Sequence, residues 1–220
     1  MGFITRYGSF WGTIPQTSGR VFWVAPSATY TVEGRSYSAS DNNDGLSPER
    51  AMLTLDAAIG NTTASVGDVI VLLPGTHTQA TTATADVAGI TITGIPQNAA
   101  SYTTRMPSGS ARNRSIVTAA ASTVALTITA ADVEVANLHI LAVSAAISIN
   151  VGNAADRCFI HDCTFSSQGV AESTSTILIN VGTGTGTSTL NEDTHIRNCF
   201  FRNEGANGAA VRASGTTMNM

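Results

Sequence analysis

Acidic side chains that could act as a general acid and base are thinly spread in this sequence. Glu134 lies between Val133 and Val135, two apolar positions that would face inward in a strand, so we expect Glu134 to face outward and alone. Glu192 and Asp193 are adjacent, and adjacent strand residues face opposite sides of a sheet. Acid–base work on one substrate needs groups on one face. The carboxylates therefore predict no catalytic pair.

Histidine is the other side chain that exchanges protons near neutral pH. An internal repeat of the chain places His161 and Arg197 in one column, on the outside of neighbouring strands. That placement indicates a small, solvated polar patch. His139 and His195 fall in other columns, so the sequence predicts no site where three histidines converge on a metal ion.

The cysteine thiols and the carboxylates of one turn are the remaining candidates for a metal site or a reactive group. Cys158, Cys163 and Cys199 are an odd set without zinc-site spacing, and their apolar neighbours predict inert interior filling. Asp41 and Asp44 lie in a polar turn, where their oxygens could hold calcium or cap the helical turn that follows. Capping is the favoured interpretation.

Two further catalytic or binding motifs are absent from the sequence. The many serines include no nucleophile elbow, and the glycine-rich stretch at 182–186 lacks the lysine and the strand-to-helix setting of a phosphate-binding loop. The sequence thus predicts no catalytic residue, no metal site and no cofactor, and hence a protein that is not an enzyme.

Composition excludes several classes of protein. The chain has 220 residues, of which 12% are charged and 43% hydrophobic, and its formal net charge is −4. Few charges argue against a coiled coil or a charge-rich disordered chain. All eleven basic residues are arginines, and this mildly acidic balance argues against binding to nucleic acid. No run is long enough to span a membrane, and no signal peptide is recognisable, so we expect synthesis in a host cytoplasm.

The most informative feature is a repeat in the second half of the chain. Residues 132–140, 157–165 and 193–201 align without gaps. Four columns result, each with one residue from each copy; they are Val135, Ile160, Ile196; Asn137, Asp162, Asn198; Leu138, Cys163, Cys199; and Ile140, Phe165, Phe201.

Short strands separated by turns, with no helix between the copies, predict the coils of a parallel β-solenoid. Stacked coils bring equal positions over one another, so Phe165 should stack on Phe201, and Cys163 should lie over Cys199. The column of Asn137, Asp162 and Asn198 falls where the strand bends. We expect these side chains to bond the backbone of the next coil, as a structural ladder.

The beginning of the chain differs from the repeats. Residues 1–20 form an aromatic, glycine-rich arm, and residues 21–66 carry a strand, a polar turn and a short helix at about 48–59 with Ser47 as its N-cap. Residues 67–220 hold the coils. The expected domains are therefore the arm, a cap and the solenoid.

Residues 21–95 resemble the N-terminal cap of right-handed β-helix proteins of the pectate-lyase-like superfamily. The matching segments are FWVAP at 22–26, SDNNDGLSP at 40–48, LTLDAAI at 53–59 and GDVIVLLPGTH at 67–77. The resemblance implies an all-β, right-handed parallel β-helix with a short capping α-helix that plugs one end of the solenoid. It says little of function, because this fold carries lyases, hydrolases, tailspikes and inert shafts.

Two functions remain open. We expect a structural component of a tailed bacteriophage particle, a capsid decoration protein or a tail spike or fibre, located in the virion and forming a homo-oligomer, namely a trimer. Its arm would dock to other virion proteins through apolar anchors: Phe3, Ile4, Tyr7, Phe10, Trp11 and Ile14. The alternative is a β-helix protein that binds or cleaves a polysaccharide, such as a tailspike depolymerase.

Overall fold

The computed structural model describes residues 18–95, 114–119, 124–142, 147–167, 177–182, 193–202 and 209–213. These residues wind into coils in which three strands recur in order, one for each of three parallel sheets. Residues 1–17 lie outside the described residues, and with them all six expected anchors of the arm.

Each of the three sheets consists of every third strand along the coiled chain. The first sheet consists of β1 (Val21–Val24), β4 (Val69–Leu72), β7 (Thr91–Gly94), β10 (Glu134–Ala136), β13 (Phe159–His161) and β16 (His195–Arg197). The second consists of β5 (Gly75–Gln79), β8 (Ser115–Ala119), β11 (His139–Leu141), β14 (Thr164–Ser166) and β17 (Phe200–Arg202). The third consists of β6 (Ala83–Ala85), β9 (Leu126–Ile128), β12 (Ile147–Val151), β15 (Ile177–Val181) and β18 (Ala209–Ala213).

The chain is therefore a right-handed parallel β-helix, which confirms the predicted fold class. Strand pairing follows the repeat, with Val135 opposite Ile160 and Ile160 opposite Ile196. The inward residues of all three sheets merge into one apolar core. Within it the rings of Phe165 and Phe201 stack with centroids 5.1 Å apart and planes 10° apart.

The cap closes the first coil with a shorter helix than the sequence predicted. A 3₁₀ turn at Pro48–Arg50 and the α-helix α1 (Leu55–Gly60) replace the single helix expected at about 48–59. The reason is that Met52 pairs with the edge of β1: its N–H donates to Trp23 O, and its carbonyl accepts from Ala25 N–H, both at 2.8 Å. A strand-like residue interrupts the helix there.

The N-cap of α1 is accordingly Thr54 and not Ser47. The Thr54 hydroxyl accepts from the backbone N–H of Ala57 at 3.2 Å, whereas Ser47 makes no side-chain cap bond. Asp41 holds the segment before the helix, because its Oδ1 accepts from the N–H groups of Leu53 and Thr54 at 3.0 and 2.8 Å. Asp41 therefore bonds the backbone between the 3₁₀ turn and α1, and not the turn that it was expected to cap.

An antiparallel hairpin was missed in the polar stretch after β1. It consists of β2 (Thr29–Val32) and β3 (Arg35–Ser38), and both residues of its turn have positive φ, Glu33 at 48° and Gly34 at 78°. Such a turn is typical of two-residue hairpins, and glycine adopts the positive φ angle without steric strain. The hairpin packs over the outer face of β1 and β4 and forms a second, smaller core with Trp23 and Val71.

The hairpin divides the outer face of the first sheet into a covered and an open part. Val69 and Val71 of β4 are buried beneath it, and Ala136 of β10 is buried too, whereas Glu134 and the outward residues of β13 and β16 keep contact with solvent. No helix among the described residues is long and apolar enough to cross a membrane.

Candidate functional site

The open part of the first sheet carries a row of polar and aromatic side chains, which we call the outer strip. Alternation along each strand produces it: Val135 and Ile160 are wholly buried in the core, so their neighbours Glu134, Phe159 and His161 point outward. Strand pairing places Glu134 opposite Phe159, and the strip extends from β7 to β16.

His161 is the centre of the strip, because both of its ring nitrogens contact a carboxylate. Nδ1 lies 2.7 Å from Asp162 Oδ2, and Nε2 lies 2.7 Å from Glu134 Oε1. A carboxylate accepts hydrogen bonds, so two such partners favour the imidazolium form of the ring, which donates from both nitrogens. The side chains remain 19%, 34% and 32% exposed for His161, Glu134 and Asp162, so a bound molecule can reach them.

The two carboxylates set the protonation of this group. Burial alone would lower the pKa of His161, but the hydrogen bonds and charges of Asp162 and Glu134 outweigh it and raise the pKa above its ordinary value of 6.5. The hydrogen bond from His161 in turn lowers the pKa of Asp162. Asp162 and Glu134 therefore favour the cationic form of the His161 ring.

Neighbouring coils hold the carboxylates in place. The hydroxyl of Thr91 on β7 donates to Glu134 Oε2 at 3.1 Å, and the amide of Asn198 donates to Asp162 Oδ1. Each carboxylate thus has one oxygen on His161 and the other on a neutral donor. Such support fixes the orientation of a site.

Asn137, Asp162 and Asn198 owe their position to the backbone. All three have left-handed φ angles, 56°, 53° and 53°, which Asn and Asp tolerate better than most residues. The side-chain partners differ from the expected backbone ladder: Asn137 donates to the Thr93 hydroxyl at 3.2 Å, and Asn198 donates to Asp162. These three residues turn the backbone at the end of each strand, and one of them, Asp162, also supplies a carboxylate to the site.

An aromatic surface adjoins the acid group. The ring of Phe159 stacks on the His161 ring with centroids 4.3 Å apart, and the guanidinium of Arg197 lies 6.0 Å from the Phe159 ring centroid. Phe159 is only partly buried. A flat ring, a cation and two carboxylates on one open face suit a ligand that has both apolar faces and many hydroxyl groups.

Two expectations about this strip are corrected. Glu134 is not alone, and His161 with Arg197 is not merely a solvated patch, because Glu134 reaches His161 diagonally across the strands. Asp193 lies among the described residues, apart from these contacts, whereas Glu192 and the glycine-rich stretch 183–186 lie outside them.

Other candidate residues lie away from the strip. His139 belongs to the second sheet, where its Nε2 lies 2.8 Å from Ser166 Oγ, and Ser166 is buried. Burial is the main reason that the pKa of His139 falls to about 4. The ring is therefore neutral at pH 7 and contributes to packing.

Metal ligands do not converge within the described ranges, where no three side chains of His, Cys, Asp or Glu are grouped to hold an ion. The carboxylate of Asp44 accepts from the Leu46 N–H at 3.1 Å and pairs with Arg50 at 3.0 Å. Asp41 bonds the backbone before α1, so the oxygens of this turn have protein partners.

Comparison with known proteins finds likeness only at the level of the fold. No family model matches the chain, and no curated protein matches it. Among solved structures, a pectin methylesterase in complex with a hexasaccharide is 13% identical, with a TM-score of 0.46 over 90% of this chain and 71% of that one. Pectin methylesterase PemA from Erwinia chrysanthemi is 16% identical, with a TM-score of 0.46 over 85% of this chain and 56% of that one.

The expectation of a protein that is not an enzyme runs against these comparisons, because the solved structures named are enzymes. None of those named is a virion protein. At this identity the likeness carries no substrate and no catalytic residue to this chain. The order of its own strands shows the architecture: this chain is a right-handed parallel β-helix.

Proposed function

We propose that the outer strip binds a polysaccharide and hydrolyses its glycosidic bonds. One observation carries the proposal: the imidazole of His161 is held between Glu134 and Asp162 at 2.7 Å on each side, on the open part of the first sheet. In glycoside hydrolysis a general acid and a carboxylate flank the scissile bond, and we assign these two roles to His161 and Glu134.

The reaction assigns a separate role to each group. When the sugar chain binds, the Nε2–H of His161 turns from Glu134 to the leaving sugar oxygen and donates its proton as the glycosidic C–O bond breaks. Glu134, released from the ring, takes a proton from the water whose oxygen bonds to the sugar carbon. Because Glu134 contacts His161, that proton can return to the imidazole and restore the starting state. Asp162, held by Asn198, keeps the ring oriented and cationic.

The shape of the strip suits an extended chain. Four parallel strands, β7, β10, β13 and β16, at about 4.8 Å spacing give a strip about 14 Å wide, enough for roughly three sugar residues. The face of Phe159 can receive the apolar side of a sugar ring, with Arg197 beside it to bond hydroxyl or carboxyl oxygens.

The test is release of reducing ends from a panel of neutral and acidic polysaccharides, pectin among them, with binding to each polymer measured in parallel. Glu134→Gln and His161→Gln should lower cleavage by about 10² to 10⁴-fold while binding is kept. Asp162→Asn is close in shape, and Asn already occupies the same left-handed position at 137 and 198, so this variant should fold.

Asp132→Asn is the matched control. Asp132 also has a left-handed φ, 59°, and its carboxylate pairs with Arg157 at 2.6 Å, but it precedes β10, whereas Asp162 follows β13. Cleavage by this variant should equal that of the wild type. Equal losses in the Asp132 and Asp162 variants, or a wild type that neither binds nor cleaves any polymer of the panel, would contradict the proposal.

A second candidate, which does not exclude the first, is a component of a tailed bacteriophage particle, in the virion and as a trimer. The aromatic density of residues 1–20 favours it, because an apolar segment of this kind, if its own domain does not cover it, needs a partner that does. Light scattering of the full chain and of a chain without residues 1–20 tests it. A trimer that dissociates on trimming supports the arm as the docking segment, and a monomer in both forms contradicts it.

A further inference from the structure

Two of the three cysteines lie in the same column of neighbouring coils. Strand pairing sets His161 opposite Arg197 and Thr164 opposite Phe200, which brings Cys163 opposite Cys199. Paired parallel strands are about 4.8 Å apart, and disulfides join cysteines whose Cα atoms are roughly 4.4 to 6.8 Å apart. The backbone therefore already holds these two residues at a bonding separation.

Their side chains have the same orientation. Cys163 Sγ lies 3.2 Å from His161 O, and Cys199 Sγ lies 3.2 Å from Arg197 O, the equivalent atom one coil later. Cys158 has other carbonyl neighbours, Ala130 O and Asp156 O, and belongs to a different column. Only one pair among the three thiols is thus aligned.

Burial differs within the pair. Cys163 is 1% exposed, whereas Cys199, on the last described coil, is only half-buried. The hydrogen bond from Cys163 is the main cause that lowers the pKa of Cys199 to about 7, and burial raises the pKa of Cys163. Cys199 is therefore the thiol that reacts first at neutral pH, with Cys163 as its internal partner.

We propose that Cys163 and Cys199 form an oxidation site, at which a peroxide links the two neighbouring coils by a disulfide bond. The Cys199 thiolate attacks a peroxide oxygen, giving a sulfenic acid, and the first water is released after protonation. The Cys163 sulfur then displaces the hydroxyl group, so that the S–S bond forms and a second water leaves. Two thiols lose two electrons and two protons, and one hydrogen peroxide becomes two waters.

This site does not depend on the proposed hydrolysis. It lies one residue after Asp162 and Asn198 in each coil, on the inward side of the sheet. Its oxidation can therefore be measured without any substrate.

The experiment treats the native full chain with hydrogen peroxide, blocks remaining thiols with iodoacetamide under denaturing conditions, and measures the intact mass and the tryptic peptides. The chain contains no lysine, so trypsin separates residues 158–197 from residues 198–202. We expect one thiol to remain for alkylation and these two peptides to be joined, and dithiothreitol should separate them.

Three variants identify the pair. Cys158→Ala should form the link as the wild type does, and Cys163→Ala and Cys199→Ala should lose it entirely. If the Cys163 variant does not fold, the peptide map of the Cys158 variant alone decides the question. Three alkylated thiols after peroxide, a link through Cys158, or sulfinic acid at Cys199 without any link would overturn the proposal.

Discussion

Replacing Phe165 with alanine tests the register on which the outer strip depends. Phe165 is wholly buried and stacks on Phe201 in the interior of the β-helix. Truncating a buried phenylalanine removes its transfer free energy and leaves a cavity, which together lower the free energy of unfolding by about 3 to 5 kcal/mol. The half-buried Phe201 should give a smaller loss on the same change.

Phe200→Ala is the matched control, because Phe200 adjoins Phe201 in β17 but points outward and is 58% exposed. The Phe200→Ala change should lower the free energy of unfolding by no more than about 0.5 kcal/mol. Urea unfolding followed by far-ultraviolet circular dichroism gives both values. A Phe200 variant as unstable as the Phe165 variant would refute the register, since a slip of one residue exchanges inward and outward positions along a strand.

Further predictions concern the cap and a buried histidine. Thr54→Ala should lower the free energy of unfolding by about 1 kcal/mol, because the hydroxyl caps α1, whereas Ser47→Ala should change it little; urea midpoints of the two variants provide the comparison. His77 is buried, and mainly for that reason its pKa is lowered to about 4. This pKa lies below the unfolded value of 6.5. The stability that depends on a neutral His77 ring is therefore fully present above pH 6.5 and is lost as the pH falls towards 4. Between pH 7 and pH 5 the wild type should therefore lose about 2 kcal/mol more than His77→Gln in urea unfolding; equal losses would contradict a buried neutral ring.

Much of the fold could be predicted from the sequence because a parallel β-helix repeats its pairing. Equal positions of the three copies face each other, so aligning Val135, Ile160 and Ile196 predicted the strand register that the structure shows. The helix at about 48–59 could not be predicted correctly in the same way. Backbone pairing of Met52 with β1 is a tertiary contact, and it overrides the local apolar spacing.

The site was less accessible to sequence reasoning for a geometric reason. Alignment brings together residues directly opposite each other, such as Glu134 and Phe159, whereas Glu134 bonds His161 diagonally. Long side chains reach such diagonal neighbours. Asp162 joins them because its left-handed backbone turns the carboxylate towards the ring. A search for outward polar residues two positions apart on neighbouring strands would have found the contact.

The most direct test of the central claim is a nuclear magnetic resonance titration of the His161 ring nitrogens, with and without a polysaccharide that the protein binds. We predict a His161 pKa above 6.5 because Glu134 and Asp162 accept from both nitrogens. The pKa should fall in Glu134→Gln and Asp162→Asn, and the His161 signals should shift when the polymer binds. A pKa below 6.5 in the wild type, or a bound polymer that leaves the His161 signals unchanged, would contradict a catalytic acid in the outer strip.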